Sequence, residues 1–260
     1  MLCPLCNSES KYSFSTQYVK VRKCLNSTCG HLFAESPSQN QGEMSYQESD
    51  MMEFSVFRQK NALWFDLNHK IVDYLIQNTA LRPGGKILDL GSGTGHMAKS
   101  FIEKGFEAVC VEPSKEARKI LTKYELVNYP YLNDIPEVEK FDAIVLSEVI
   151  EHLPDPVEIL KEAKERLANL GVIFITTPCV RGIKSILRLK NSAAYAEPTH
   201  IHFFTSNSLE KCLQLAGFPN YQRHHLDFMV PGRSPLLKTI DRILYPLDLN
   251  PHLIYLVLNS

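Results

Sequence analysis

The sequence predicts an α/β protein built on a doubly wound, mostly parallel β-sheet. Two observations support this: an apolar run at 86–90 leads into a turn with alternate glycines (Gly91, Gly93 and Gly95) and a helical pattern, and a second strand-like run follows at 107–111. Glycine tolerates a positive φ and lets a ligand approach the backbone, while the start of the next helix offers free N–H groups. The pattern therefore predicts a ligand-binding strand–turn–helix unit.

Two acidic residues flank this unit. Asp89 lies just before the turn, and Glu112 ends the second strand about 20 residues further on, where an acid can bind the hydroxyls of a ribose. The dinucleotide fingerprint G-x-G-x-x-G has glycine at its sixth position, whereas this chain has His96 there. The dinucleotide motif does not call for Asp89 either.

Three segments in this order resemble the class I S-adenosylmethionine-dependent methyltransferases of the ubiquinone-biosynthesis type. Residues 88–95 resemble their first motif, 111–114 the second and 141–156 the segment around the fourth strand. The resemblance covers roughly residues 85–260 and implies a Rossmann-like sheet of seven strands with an antiparallel edge. It implies S-adenosylmethionine as cofactor, bound by Asp89, Gly91, Ser92, Gly93, Thr94, Gly95, Glu112, Pro113, Asp134, Ser147 and Glu148.

A cysteine-rich segment precedes this region. Cys3 and Cys6 form one pair, and Cys24 and Cys29 form a second pair after a gap of 17 residues. Two pairs that each place two thiolates on one side of a turn predict a zinc ribbon with a tetrahedral structural site. His31 could replace Cys29 as a ligand, and four free thiols in a small hairpin are the alternative without a metal. A segment this short depends on such a site to fold.

The chain is expected to divide into three parts. These are a zinc-ribbon-like domain at 1–35, a linker with a helical cap at 36–80, and a methyltransferase domain at 81–260 with a substrate-side insertion near 179–206. Proline and glycine in a polar stretch indicate the linker.

The insertion contains the candidate catalytic residues. His200 and His202 would share a face if the segment is extended, and the stretch resembles the family's H-x-x-x-F-T pattern. A neutral imidazole near the reacting centre can remove a proton from an attacking hydroxyl. A histidine that only hydrogen-bonds the loop is the alternative. Glu151 and His152 either form an acid–base pair or fix the loop after the fourth strand.

A helix is predicted from the N-cap Asp155 to Gly171, with Leu167 and Leu170 in its buried stripe. Further on, the segment 232–250 is longer than a tight hairpin, and we expect it to add to the pocket or to an oligomer interface. No amphipathic membrane-binding helix is evident from the sequence.

Net charge, cysteine content and hydropathy limit the expected partners and cellular location. A net charge of −1 provides no global attraction for nucleic acid, so that partner is not favoured. Seven cysteines, four of them clustered, fit a reducing compartment. No apolar run approaches ~18 residues, so no membrane span is expected. The N-terminus lacks a secretion signal pattern, which predicts a cytoplasmic protein.

The expected function is methyl transfer to a small polar metabolite such as a sugar or sugar nucleotide, with O-methylation favoured. The near-neutral charge motivates this, as does a local basic cluster formed by Arg181, Lys184, Arg188 and Lys190. A lipophilic quinol is less favoured because no amphipathic helix is evident. The alternatives are a ribosomal RNA base methyltransferase with a zinc finger and a non-catalytic adaptor that binds S-adenosylmethionine. The sequence leaves open the acceptor atom, the general base and the oligomeric state.

Overall fold

The structure is a computed structural model that describes residues 1–35, 62–182, 195, 197–227, 229, 234–247 and 249–259. In these ranges the strands are β1 (Ser10–Ser15), β2 (Lys20–Cys24), β3 (Leu32–Ala34), β4 (Lys86–Leu90), β5 (Glu107–Val111), β6 (Val127–Tyr129), β7 (Phe141–Ser147), β8 (Leu167–Pro178), β9 (His202–Phe203), β10 (Tyr221–Arg223) and β11 (His252–Leu258). The α-helices are α1 (Ala62–Asn78), α2 (His96–Glu103), α3 (Lys115–Lys123), α4 (Pro156–Glu165), α5 (Ser206–Leu215) and α6 (Pro235–Leu244).

The larger sheet has seven strands in the order β10-β11-β8-β7-β4-β5-β6. Strands β4, β5, β6, β7 and β8 are mutually parallel, while β11 runs antiparallel to β8 and β10 antiparallel to β11. The chain winds outwards from β4 to β6 and then crosses back to β7, so the order reverses beside β4. The predicted Rossmann-like fold is confirmed, and ligands in such sheets bind at the carboxyl ends of the strands at this reversal.

Helices cover both faces of this sheet. On one face, α1 and α2 bury Ile71, Leu75 and Phe101 against the sheet. On the other, α4 and α5 bury residues such as Leu160 and Leu213. Two apolar layers thus hold the parallel strands, which are themselves apolar on both faces as expected for a covered sheet.

Helix α4 begins as predicted but ends early. The Asp155 carboxylate accepts a hydrogen bond from the Glu158 N–H at 2.9 Å, and Pro156 occupies the first turn. The predicted extension to Gly171 is wrong, because the helix ends at Glu165 and the chain enters β8 at Leu167.

The residues beyond Glu165 explain why the helical spacing of apolar residues gave a wrong helix end. Leu167 pairs with Phe141 of β7, and Leu170 is 68% exposed with a φ of 63°. A Cβ at Gly171 would lie 3.0 Å from the Phe141 carbonyl oxygen, so glycine there permits a close strand approach. Apolar spacing of three or four residues fitted both a helix and this bulged strand.

The smaller sheet is antiparallel and joins two distant parts of the chain. Its order is β1-β2-β3-β9, so the N-terminal hairpin and β3 continue into a strand from the predicted insertion near 179–206. Leu32 pairs with Phe203, and Phe33 pairs with His202. The sequence analysis did not predict this pairing.

Helix α6 is amphipathic, which the sequence analysis failed to recognise. Ser234 caps its start, and one carboxylate, Asp241, is buried. The side chains of Leu236, Leu237, Ile240 and Ile243 are exposed. Its length is 10 residues, and within the described ranges no helix is long and apolar enough to cross a bilayer.

The glycine turn yields a prediction about stability. Gly93 and Gly95 both have positive φ, but a Cβ at Gly93 would meet no atom within 4 Å, whereas one at Gly95 would lie 2.5 Å from Leu126 Cδ1 and 2.7 Å from Leu121 Cδ2. Gly93→Ala should cost about 1–2 kcal/mol through backbone strain. Gly95→Ala should cost about 1–2 kcal/mol more, since two buried leucines must move. Urea unfolding without ligand measures both, and equal losses would contradict the packing explanation.

Candidate active site

The glycine turn lies at the carboxyl end of β4. The N–H groups of Gly91 and Ser92 both donate to the Val111 carbonyl of β5, at 2.8 and 3.0 Å. Gly91 lies so close to the next loop that a Cβ would be 2.5 Å from Val149 Cγ2, while the space beside Gly93 is open. Thr94, in the same turn, is buried. The turn is therefore a backbone cradle that a side chain at Gly93 would partly fill.

Glu112 connects this turn to the start of the next helix. One carboxylate oxygen accepts from the Gly93 N–H and the other from the Ser114 N–H, each at 2.8 Å. The side chain is buried, and burial raises the pKa of the Glu112 carboxyl against the opposing effect of the two N–H donors. Pro113, next to it, is exposed.

Asp89 lies beneath the turn. Its Oδ2 accepts from the Ala98 N–H in the first turn of α2 at 3.2 Å, and the residue is buried. Burial, with a smaller effect of the Glu112 charge, raises the pKa of the Asp89 carboxyl to about 7. No cationic side chain pairs with Asp89 in the part of the chain that the structure describes, and a carboxylate so placed is suited to a ligand that carries positive charge.

Two further candidate cofactor-binding residues, Ser147 and Glu148, lie at the carboxyl end of β7. This strand is the fourth of the large sheet in chain order. The Ser147 and Thr176 hydroxyls are 3.2 Å apart, and the Glu148 N–H donates to the Thr176 carbonyl. Glu148 has a φ of 58°, an uncommon conformation for a non-glycine residue and one that is concentrated at functional sites. Its Oε2 lies 3.7 Å from Nε2 of His252, a neighbour that the sequence analysis missed.

Asp134 is separate from this group. It is exposed, ends a short 3₁₀ helix (Leu132–Asp134), and its carboxylate accepts from the Tyr131 N–H at 3.0 Å. Asp134 thus lies in the loop after β6, and its role in cofactor binding stays a prediction.

A second polar group contains Glu151, His152 and His200. Glu151 is buried, and its Oε2 accepts from the Thr177 hydroxyl at 2.9 Å. Its Oε1 lies 3.9 Å from His200 Nε2 and 4.0 Å from His152 Nε2. His152 donates through Nδ1 to the Thr199 carbonyl at 3.1 Å. The potential ligand atoms of the three residues lie within 4.8 Å of one another, so they can relay a proton or bind a cation.

His202 has different partners from His200, although the sequence pattern placed both on one face. Its Nε2 donates to the Leu153 carbonyl at 2.9 Å, and its Nδ1 accepts from Nε2 of His31 at 2.9 Å. Burial lowers the pKa of His202 to about 4 and that of His31 well below its usual value. Two neutral rings therefore form a fixed hydrogen-bonded chain.

The four N-terminal cysteines converge. The Sγ atoms of Cys3 and Cys29 are 3.9 Å apart and those of Cys6 and Cys24 are 3.5 Å apart, and all four lie within 4.8 Å of one another. In a tetrahedral site with Zn–S bonds of about 2.3 Å, sulfur atoms would be about 3.8 Å apart. Donor type, number and spacing thus fit zinc. His31 is absent from this group, and its side chain bonds His202 instead.

Part of the predicted basic cluster lies outside the described residues. Lys184, Arg188 and Lys190 are in the range 183–194, while Arg181 is described and exposed. The contribution of this cluster to binding a polar acceptor stays a prediction.

The fold agrees with comparison to known proteins. Residues 57–223 match the family model described as a methyltransferase domain. The chain belongs to this methyltransferase family. The match contains the glycine turn, Glu112, Glu151 and His200, so both the cradle and the acid–base group lie within the family domain.

Curated relatives of this methyltransferase include enzymes named ubiquinone biosynthesis O-methyltransferase. The protein of Aliivibrio fischeri (strain MJ11) is 26% identical over 212 residues, covering 74% of this chain and 82% of its own. That of Pasteurella multocida (strain Pm70) is 27% identical over 159 residues, covering 50% and 66% respectively.

Solved structures share the fold of this methyltransferase. An S-adenosylmethionine-dependent methyltransferase from Archaeoglobus fulgidus aligns with a TM-score of 0.58 at 18% identity, over 79% of this chain and 99% of that chain. The plantazolicin methyltransferase BpumL, solved with S-adenosylhomocysteine, aligns with a TM-score of 0.60 at 16% identity, over 85% and 93%. The predicted enzyme class, an S-adenosylmethionine-dependent methyltransferase, is confirmed.

The raised pKa of Asp89 predicts a pH dependence of stability. The folded value of about 7 exceeds the ordinary 3.8, so the folded state holds the extra proton between these values and loses stability as the pH rises through this window. Asp89→Asn cannot ionise. Relative to that variant, the wild type should lose on the order of 3 kcal/mol between about pH 4 and pH 8. Denaturant unfolding of both ligand-free proteins measures the difference, and a constant difference across this range would contradict it.

Proposed function

We propose that this methyltransferase transfers a methyl group from S-adenosylmethionine to a hydroxyl of a small polar acceptor. The observation that carries this proposal is the adjacency of two chemically different groups at one edge of the sheet. The glycine turn contacts Val149, and only two residues later Glu151 begins the polar group with His200. A cofactor in the cradle would then face an acid–base group.

The cradle residues have separate roles in the proposal. Glu112 binds the ribose hydroxyls, while the glycine turn and Asp89 bind the methionine end, whose ammonium group would balance the buried carboxylate. Ser147 and Glu148 contact the methionine part, and Asp134 approaches the adenine. When bound, the cofactor supplies an electrophilic methyl group on a positively charged sulfur.

Proton removal from the acceptor is assigned to His200. Its Nε2 lies 3.9 Å from Glu151 Oε1, so the carboxylate can stabilise the imidazolium that forms. The Thr177 hydroxyl holds Glu151 in place from the opposite oxygen. His202 shares the segment, but both its ring nitrogens are occupied, and we assign it a supporting role.

The N-terminal cysteines are proposed to hold a structural zinc ion. Cys3, Cys6, Cys24 and Cys29 supply four thiolates, which leaves no open coordination position for catalysis. The part of the chain from 1 to 35 is accordingly proposed as a zinc-ribbon-like unit.

A lipophilic phenol or quinol is the second candidate acceptor. Two observations support it as the alternative: the exposed apolar face of α6 and the names of the curated relatives. A ribosomal RNA base is a weaker candidate, because the net charge of −1 disfavours binding to RNA. A non-catalytic adaptor would bind S-adenosylmethionine without transferring its methyl group.

The deciding experiment is an acceptor assay. We expect methyl-labelled S-adenosylmethionine, incubated with the protein and a cell extract divided into polar small-molecule, lipid, RNA and protein fractions, to label the polar small-molecule fraction. Mass spectrometry then identifies the product. Label in lipid would select the quinol candidate, and label in RNA would select the nucleic-acid one. Retained cofactor binding without label in any fraction would select the adaptor.

Cofactor binding has its own test. Glu112→Ala should weaken S-adenosylhomocysteine binding by roughly tenfold or more, because a charge-assisted acceptor for the ribose is lost. Isothermal calorimetry measures the affinity. Glu116→Ala is the matched control, since Glu116 is an acid on the neighbouring α3 that pairs with Lys119. Equal affinity of wild type and Glu112→Ala would overturn the ribose assignment.

A further inference from the structure

The substrate-side segment around residues 199–203 is held from two directions by backbone hydrogen bonds. On the ribbon side, the Ala34 N–H donates to the Ile201 carbonyl at 2.9 Å, and β3 pairs with β9. On the catalytic side, the Ile201 N–H donates to the Glu151 carbonyl at 3.0 Å. Ile201 is therefore fixed between the last strand of the ribbon and the short 3₁₀ helix Ile150–His152.

Side chains reinforce this connection. His31 donates to His202, and His202 donates to the Leu153 carbonyl, with both rings almost completely buried. The chain of three groups spans from a residue two positions after Cys29 to the residue just after the 3₁₀ helix. Since each bond fixes the tautomer of the ring that makes it, neither ring can rotate without breaking a buried hydrogen bond.

The cysteine site supports the ribbon end of this chain. The Cys24 N–H donates to the His31 carbonyl at 2.8 Å, and Gly30, at a φ of 55°, closes the second cysteine turn immediately before His31. Three of the four cysteines share one apolar core with Phe33 and with Phe204 beyond β9. The four thiols thus hold the start of β3, which directly follows His31.

The catalytic end of the chain carries the proposed acid–base group. His152 donates to the Thr199 carbonyl, and His200 lies next to Ile201 in sequence and 3.9 Å from Glu151 across space. A displacement of residues 199–202 would therefore change the His200–Glu151 geometry. By contrast, the hydrogen bonds described for the glycine turn come from β5 and Glu112, although Gly91 also packs against Val149.

We propose that the ribbon acts as a clamp on the acceptor side of the active site, with His202 and His31 as positioning residues that make the geometry of His200 and Glu151 depend on the cysteine site. The catalytic meaning of that geometry rests on the function proposed above. The clamp predicts that losing the metal disorders the acceptor side and leaves cofactor binding intact.

The primary test is metal removal from the full-length protein. Zinc content is measured by elemental analysis before and after dialysis against a chelator, and we expect about one ion per chain before and none after. Hydrogen-exchange mass spectrometry should then show exchange at least tenfold faster in 197–204 and 150–153, where the amides of Ile201 and its neighbours lose their protection. Exchange in 86–112 and the calorimetric affinity for S-adenosylhomocysteine should change by less than about threefold.

Each contrary result overturns the clamp. Faster exchange confined to 1–35 would show that the ribbon is a passive appendage. Loss of S-adenosylhomocysteine binding together with the acceptor side would show that the metal supports the whole domain rather than one half of the site. Protein that is purified without zinc would contradict the proposed dependence of the acceptor side on the metal. These measurements need no acceptor, so they are separate from success or failure of the methyl-transfer assay.

A substitution series tests the histidines themselves. With the labelled polar fraction as acceptor, His202→Leu should lower kcat by about 100-fold, as expected for a misplaced catalytic group, while KM for S-adenosylmethionine stays within about threefold. His202→Gln keeps an amide donor for the Leu153 carbonyl and should restore part of kcat. His69→Gln, in an exposed pair with Glu103, is the control. A variant His202→Leu with unchanged kcat and unchanged exchange in 197–204 would overturn the positioning role.

Discussion

The parallel pairing of β4 with both β5 and β7 is the constraint on which the site depends. It aligns the carboxyl ends of three strands, so Asp89, Glu112 and Ser147 arrive at one edge although they are far apart in sequence. The chain reverses its winding direction there, which is where ligands bind in open α/β sheets. Gly91 fits against Val149 only because it lacks a side chain. The glycine turn is thereby brought against the Val149 side chain, two residues before Glu151.

Local sequence signals were sufficient for the cofactor half of the fold. The alternate glycines, the acid after the second strand and the cap at Asp155 each report a conformation set by a few neighbouring residues, and the structure has each of them. The prediction for the end of α4 was wrong because a contact distant in sequence sets the conformation there. Leu167 and Leu170 fit a helical stripe, but a pairing with Phe141 on a different strand decided their conformation.

The acceptor half depends on contacts that no local pattern contains. His31 and His202 are 171 positions apart, and the strands that bring them together have three and two residues, too short to show alternation. Thr177 and His252 join the polar groups only through the pairing of β8 with β7 and β11. The sequence pattern grouped His202 with His200. His202 nevertheless has different hydrogen-bond partners from His200.

Asp89 and Glu148 illustrate a local conflict between stability and ligand binding. Asp89 is a buried carboxyl whose pKa of about 7 disfavours its charged form, and Glu148 adopts a backbone conformation that glycine would adopt more easily. Residues of other types would be more stable at both positions. Such conflicts concentrate where a ligand supplies the missing interaction, and both residues lie at the carboxyl edge of the sheet.

The pairing of β3 with β9 also sets an order of events during biosynthesis. The first 34 residues contain three of the four strands of the small sheet, yet the fourth strand is synthesised only when the chain reaches residue 203. A ribosome adds about 5–20 residues per second, so the edge of β3 stays open for roughly 10–30 seconds while most of the large sheet is made. Residues 1–34 thus leave the ribosome before the large sheet does, yet the small sheet is complete only after β4 to β8 have been made.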